Sequence, residues 1–389
     1  MKSIGIDIGT TTVSFAVTDR DTLTVIRKYT IANDSFIPTK NPWERIQDTS
    51  VILSRILPVL DEILNTYSDI SAIGITSQMH GIVYTDSSGH AVSPLCTWQD
   101  ERGSLTDFNG RSICRILSED IGINAAPGYG LVSHLYNIRK RLVPAEASSF
   151  CTIGDYAGMI LTGRRSPLVH ISQAAGMGMF DLKKLEFMYG KISDAGADPA
   201  LLPEVTKKFS VLGSYKDIPV CVSIGDNQAS FLGSVTDGTD TVLVNVGTGS
   251  QVSVMSGQYT EIPDIETRPL TESAYLLVGA AVCGGAAYAS LEKFFRTYAV
   301  AAGIRGVLNG MAEELYGLYL LIETGTGDSK TKLIASGNAV RQNKVFQQIL
   351  QDRFNMPLTI GQNKEEAAYG ASLCALSAAG LLTKHQFPV

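Results

Sequence analysis

Ile4, Ile6 and Ile8 alternate with Ser3, Gly5 and Asp7. A period of two over so short a run predicts a β-strand across 2–8. Gly9-Thr10-Thr11-Thr12 interrupts it as a turn, Val13, Phe15 and Val17 resume the alternation, and 23–29 continues into a third strand. The period then lengthens. Ile46, Leu53, Ile56, Leu57, Leu60 and Leu64 form the apolar stripe of a helix, with Asn41 as its expected N-cap and Pro42 at its first position. Pro58 falls inside the stripe and is expected to kink or split the helix. A strand follows over 71–76 and ends on Gln78-Met79-His80-Gly81. Three strands, a helix and a strand make the opening of a ribonuclease-H-like half, not the strand–helix–strand repeat of a dinucleotide-binding domain.

The opening recurs. Residues 241–246 read as a strand, Gly247-Thr248-Gly249-Ser250 as a turn, 252–255 as a second strand and 275–280 as a third. Towards the end come a strand at 332–335, the turn Ser336-Gly337-Asn338-Ala339, a helix carrying Val345, Phe346, Ile349, Leu350 and Phe354, and a strand at 357–360. An Ala-rich helix over 365–379 stops at Gly380. Two matching openings predict an internal duplication with domains 1–232 and 233–389. The expected fold is α/β, a duplicated ribonuclease-H-like (actin-like ATPase) fold with two domains around a central cleft.

Composition narrows the partners. The chain has 389 residues, 44% of them hydrophobic, and a formal net charge of −6. No long block of Lys and Arg is present, which speaks against nucleic acid, since phosphate-backbone binding needs a basic face. Backbone amides still allow an anionic ligand without adding charge. The six cysteines, Cys96, Cys114, Cys151, Cys221, Cys283 and Cys374, form no C-x-x-C pair and read as buried thiols of a reduced compartment. A strand so close to Met1 leaves no room for a signal peptide. The most apolar stretch, 274–289, is shorter than the roughly 20 residues that cross a bilayer. A cytoplasmic protein with no membrane partner is expected, and a homodimer stays open.

Five segments carry candidate chemistry. Asp7 to Thr12 offers glycine for close backbone approach, amides and threonine hydroxyls as phosphate donors, and a carboxylate for Mg²⁺. Asn245 to Ser250 repeats the pattern, so that two hairpins facing across one cleft would clamp a triphosphate. Gly225-Asp226-Asn227-Gln228 follows an apolar strand, 220–224, and places a carboxylate where phosphoryl transfer needs one to orient or deprotonate a hydroxyl. Gln78 to His80, with Thr97-Trp98-Gln99-Asp100, has the amide and aromatic character of a sugar site. Gly337 and Asn338 open a helix from a Gly-rich turn, which can let adenine lie against backbone. The first four have ordinary alternatives: Asp226 as a plain N-cap, His80 as a loop histidine, Trp98 as core, the Gly-Thr turns as simple hairpins. Gly325 to Lys330 has the flavour of a P-loop but lacks its Gly-Lys spacing, and is expected to link a helix to a strand.

In this order the segments G-I-D-I-G-T-T-T, G-I-T-S-Q-M-H-G, T-W-Q-D-E-R, I-G-D-Y-A-G-M-I-L-T-G, S-I-G-D-N-Q-A-S, N-V-G-T-G-S, S-G-N-A-V-R-Q-N and E-E-A-A-Y-G-A-S resemble the FGGY family of carbohydrate kinases over nearly the whole chain. Q-M-H-G with T-W-Q-D and G-D-N-Q-A-S is most similar to its sedoheptulokinase branch, with the xylulokinases next. The resemblance implies an ATP- and Mg²⁺-dependent sugar kinase. It makes Asp226 the base, and Asp7 and Asp226 the metal-organising carboxylates. Gly9, Thr10, Thr11, Thr12, Gly247, Thr248, Gly249 and Ser250 would hold phosphates, and Gly337 and Asn338 would border adenine. Gln78, Met79, His80, Trp98, Asp100, Tyr129, Asp226 and Gln228 would face the sugar. Two departures stand out. The family carries Lys or Arg two residues after the Thr-rich turn, where this chain has Ser14, and some dozens of residues are missing near 297–306. They keep a non-catalytic sugar- or nucleotide-binding module as the rival from another class. A chaperone-type ATPase would need no sugar pocket.

Overall fold

The computed structural model describes residues 1–247, 249–281, 301–383 and 386–389, with backbone only at 301–304. The chain divides into two units. The first comprises Met1–Gly233 with Ala367–Thr383, and the second is centred on Ser234–Glu366.

In the first unit β1 (Lys2–Ile8), β2 (Thr12–Asp19) and β3 (Thr24–Ala32) form an antiparallel meander. After helix α1 (Thr49–Thr66), strand β4 (Ile70–Ser77) returns parallel to β1. A long excursion carries α2 (Gly130–Lys140), α3 (Ile153–Thr162) and α4 (Ile171–Gly176). The chain then re-enters as β5 (Val211–Tyr215) and β6 (Ile218–Cys221), followed by the two-residue β7 (Ile224–Gly225) and helix α5 (Asp226–Ser234). The strand order is β5-β6-β4-β1-β2-β3, with β7 pairing β4 beyond β6.

The second unit repeats the plan. Strands β8 (Thr241–Val246), β9 (Ser250–Ser256), β10 (Glu266–Thr271) and β11 (Ala274–Ala281) precede helix α6 (Ala301–Thr326). Strand β12 (Lys332–Ser336), helices α7 (Asn338–Arg341) and α8 (Lys344–Phe354), and strand β13 (Leu358–Ile360) follow. The order is β10-β11-β9-β8-β12-β13, with β8 antiparallel to β9 and parallel to β12. This matches β1 antiparallel to β2 and parallel to β4, so the duplication expected from two Gly-Thr hairpins is present as topology. Val242, Val244, Val252, Leu315, Phe346 and Leu350 are fully buried in the core of this unit.

The last helix, α9 (Glu366–Ala378), lies beyond the second sheet in sequence but packs from Ala367 onward in the first unit. A single division into 1–232 and 233–389 does not describe it. The reason is close approach. A Cβ on Gly5 would stand 1.7 Å from the Ala368 carbonyl oxygen, and one on Gly74 1.9 Å from that of Ala371. Only glycines in β1 and β4 and small residues on α9 allow that contact, and the hydroxyls of Thr18 and Ser372 close it at 2.7 Å.

Helix α1 departs from expectation at its start. Its N-cap is Asp48, whose Oδ1 accepts from the amides of Ser50 and Val51, not Asn41. Ile46 is taken instead by a short strand, Ile46–Gln47, paired with Leu95–Cys96. Pro58 does not split the helix, which runs through it with the proline on the exposed face, opposite Ile52, Ile56, Leu60 and Ile63. Helix α6 extends through Thr326, so the Gly325-Thr326 pair is helical and not part of the connection.

Two buried histidines give the first unit an acid-sensitive core. Burial pushes the imidazoles of His134 and His170 down, to about 4 and about 3. Both lie below the ordinary value, so the unfolded chain takes up protons that the native state refuses. Stability is therefore full above about pH 6.5 and falls towards pH 4, by about 1.4 kcal/mol per pH unit for each histidine. Urea unfolding at several pH values across that window is expected to show the fall, and His134→Leu to make it shallower. A variant slope equal to wild type would contradict this.

Candidate active site

Parallel strands send their C-terminal ends to one edge of a sheet, and ligands of α/β proteins collect there. In the first unit β1, β4 and β7 end together: Asp7 pairs in register with Thr76, and Thr76 with Ile224. The three segments just past that row are the Thr-rich turn after β1, Gln78 to His80 after β4, and Asp226 after β7.

The turn is closed by the Gly9 amide donating to the Thr12 carbonyl at 3.0 Å and braced by Asn33 Nδ2 on the Gly9 carbonyl at 2.7 Å. Thr11 and Thr12 are exposed. Thr10 faces the neighbouring segments. Its Oγ1 accepts from Trp98 Nε1 at 3.0 Å and donates to Gln78 Oε1 at 3.2 Å. Gln78 Nε2 donates to Gln47 Oε1 at 2.8 Å, and Gln47 Nε2 returns to the Thr10 carbonyl at 2.9 Å. One closed ring of hydrogen bonds thus fixes the turn against Gln78 and Trp98. Gln47 is a member that sequence reasoning missed, since a lone Gln in a two-residue strand gives no signal. Trp98 keeps 47% of its surface exposed, so it is not core, and an indole anchored at its N–H leaves a ring face for a C–H surface.

His80 is held in a left-handed backbone conformation, φ +74°, which a non-glycine residue adopts only when its surroundings impose it. Its Nδ1 donates to the Gly176 carbonyl at 2.6 Å, and its ring stacks on Tyr129 with centroids 4.8 Å apart and planes 7° from parallel. Met79 is buried behind, and a Cβ on Gly225 would meet its Sδ at 2.8 Å and Gln228 Oε1 at 2.5 Å. Gln78, Met79, His80, Trp98, Tyr129, Gln228 and Asp226 are therefore brought into one neighbourhood. Asp226 opens α5, half-buried, with Oδ1 accepting the Asn227 amide at 2.7 Å.

Asp100 is placed differently. It is fully buried, and its carboxylate grips Arg102 through Nε at 2.7 Å and Nη2 at 3.0 Å while accepting the Arg45 amide at 3.0 Å. The carboxylate expected to face a sugar is engaged inside the protein, and it shapes the Trp98 segment from behind.

Ser14 pairs in register with Asp7, so both side chains lie on one face of the sheet. It is 3% exposed, with Oγ 3.4 Å from Thr30 Oγ1. For Mg²⁺, the donor chemistry fits: that ion takes one or two carboxylates and completes its shell with phosphate and water, and Asp7, near the end of β1, and Asp226, just after β7, stand on the two strands that flank β4 at the same edge. Among the described residues no group of three or more His, Cys, Asp or Glu forms a dedicated metal cage.

In the second unit the Gly247 amide donates to the Gly249 carbonyl at 2.9 Å, closing the hairpin before Ser250; Thr248 lies outside the described residues. Asn245 Nδ2 donates to Ser336 Oγ at 2.8 Å. Gly337 has φ +89°, and a Cβ there would stand 2.3 Å from the Val246 carbonyl oxygen. Both constraints require glycine, and together they set the exposed Asn338 beside the hairpin. Of the segment 297–306, where the shortening was expected, residues 297–300 lie outside the described residues and 301–306 form the start of α6.

Comparison with known proteins agrees with this geometry. Residues 3–233 match the N-terminal domain of the FGGY family of carbohydrate kinases, and residues 279–379 its C-terminal domain. The chain is similar to the sedoheptulokinases of Mus musculus and Homo sapiens, 23% and 24% identical, over 96% of this chain and 97% of each relative. The mouse alignment runs over 474 positions, so that relative holds residues with no counterpart here. Among solved structures, a ligand-bound xylulose kinase from Lactobacillus acidophilus superposes with a TM-score of 0.83 at 18% identity, covering 99% of this chain and 91% of its own. The fold is the two-domain, actin-like one. No helix among the described residues is long and apolar enough to cross a membrane.

Proposed function

Because the chain belongs to the FGGY family of carbohydrate kinases, we propose that this ATP-dependent sugar kinase phosphorylates a ketose at a terminal hydroxyl, with sedoheptulose as the first substrate and sedoheptulose 7-phosphate as product. Asp226 takes the proton of the attacking hydroxyl as its oxygen bonds to the γ-phosphorus and the bond to ADP breaks. Trp98, His80 and Tyr129 give the sugar its aromatic walls, with the buried amides of Gln78 and Gln228 behind them. Gly9 to Thr12 and Gly247 to Ser250 provide phosphate donors, and Gly337 with Asn338 borders adenine. Asp7 and Asp226 would hold Mg²⁺, which, when bound, neutralises phosphate charge. Closure around the substrates would exclude water as a competing acceptor.

The observation that carries this reading is the meeting of Asp226, the Gln78–His80 segment and the Thr10 turn at one sheet edge. The choice of sedoheptulose is supported by the two relatives of that name, which align along almost their whole length. Ser14 favours a second reading, a module that binds sugar or nucleotide without catalysis, because a buried hydroxyl stands where the resembled family reaches the phosphates with a cation.

ADP release from Mg-ATP, measured against a panel of ketoses, aldoses and polyols, separates these. Sedoheptulose is expected to give the highest kcat/KM. A xylulose maximum would move the substrate assignment, and sugar binding without stimulation by any sugar would favour the module. Fast release without sugar would leave a simple ATPase.

A further inference from the structure

We propose that Ser172 and Gln173, on the short helix α4, are positioning residues that fix the backbone of Asp226; this rests on Asp226 as the base. Strand β7 is only two residues long, and the peptide group joining Ile224 to Gly225, just ahead of Asp226, is gripped at both its carbonyl and its amide by side chains. The Ile224 carbonyl accepts from Thr76 Oγ1 at 2.9 Å and from Gln173 Nε2 at 3.0 Å, and the Gly225 amide donates to Ser172 Oγ at 3.0 Å. Behind these contacts, His170 Nδ1 lies 2.8 Å from Ser172 Oγ, and Gln173 Nε2 also donates to Ser77 Oγ at 3.0 Å.

His170, Ser172, Gln173, Ser77 and Ser223 are all fully buried. A buried polar group is unfavourable unless paired, and an apolar core would have filled this space without that demand. The pairing is directed at the segment that carries the base. The amide of Gln173 has one workable orientation, because turning it would set Oε1 against the Ile224 carbonyl, two acceptors face to face. In the orientation present, Oε1 has no hydrogen-bond partner among the described residues. The glutamine is held for its donors.

The other end of α4 meets the sugar side. The Gly176 carbonyl receives His80 Nδ1 at 2.6 Å, and the Met177 carbonyl receives the Leu131 amide at 2.9 Å, just after Tyr129. One six-residue helix therefore braces both the strand before the base and the His80–Tyr129 wall. The separation of base and sugar hydroxyl depends on it, and reaction geometry is unforgiving: a shift of about 1 Å costs about a hundred-fold in rate.

Ser172→Ala, Gln173→Leu and Asp226→Asn test this in the full chain, with sedoheptulose and Mg-ATP as probes and tryptophan fluorescence reporting sugar affinity. The first two are expected to lower kcat by about ten- to a hundred-fold while sugar Kd stays within about two-fold. An unchanged kcat, or a Kd that rises by the factor by which kcat falls, overturns the proposal, the second outcome marking a generally loosened unit. Should Gln173→Leu fail to fold, Ser172→Ala decides, since it removes a single oxygen. Wild-type kcat in Asp226→Asn removes Asp226 as base and the premise with it. An inactive Asp226→Asn beside fully active Ser172→Ala and Gln173→Leu removes the positioning role alone.

Discussion

Asp226→Asn is expected to lower sugar-dependent ADP release by about 10²- to 10⁴-fold, the range that a positioned general base contributes, with sugar Kd little changed. The substitution keeps shape and keeps an Oδ1 acceptor for the Asn227 amide, now bonded at 2.7 Å, so the start of α5 is preserved. What it removes is the capacity to take a proton from the attacking hydroxyl. Phosphoryl transfer depends mainly on positioning and charge neutralisation, so a residual rate above background is also expected. Steady-state kinetics with fluorescence-detected sugar binding checks both parts. A variant with wild-type kcat would leave Asp226 as a helix-capping residue and nothing more.

The candidate base and the segments placed beside it were legible in the sequence because residues at a sheet edge leave short, dense signals. Asp7 stands near the end of an alternating strand that Gly9 and the threonines follow, Gln78 to His80 follow another, and Asp226 follows a third; a strand and what stands at its end can be read without knowing the packing. The duplicated topology was legible for the same reason, since both halves open on a strand and a Gly-Thr bend. What could not be read depends on distant partners. The start of α1 was missed because Asn41-Pro42 satisfies local capping rules, while Ile46 is claimed by pairing with Cys96 across about fifty residues of chain. Residues 367–383 were assigned by chain order, whereas their place is decided by the room left at Gly5 and Gly74. Ser172 and Gln173 look like any small-residue helix start until Ile224 and Gly225 are laid beside them. Asp100 carried the right residue type for a sugar ligand, and only Arg102 two positions on, which the pattern did not flag, explains where its charge goes.

That assignment has a large consequence. Asp100→Asn is expected to destabilise the first unit by roughly 3–5 kcal/mol, the loss seen when one partner of a buried ion pair is removed, with a smaller effect on sugar KM. Asp100 is 0% exposed and Arg102 5%. Burial works against the charged guanidinium, yet the bonds to Asp100 outweigh it and hold Arg102 above its ordinary range. Without the carboxylate charge the guanidinium keeps Asn137 Oδ1 at 2.7 Å and a distant Glu44 at 3.8 Å, too little to offset its lost hydration. A ligand-binding carboxylate would behave in the opposite way, raising KM and leaving the unfolding midpoint in place. Thermal unfolding of Asp100→Asn beside its sugar kinetics distinguishes the two. The double variant Asp100→Leu with Arg102→Met sharpens the contrast: with both charges gone no uncompensated ion remains, and much of the lost stability should return. If the double variant is no more stable than the single one, the carboxylate matters for something other than its arginine, and a direct role towards the sugar regains its place.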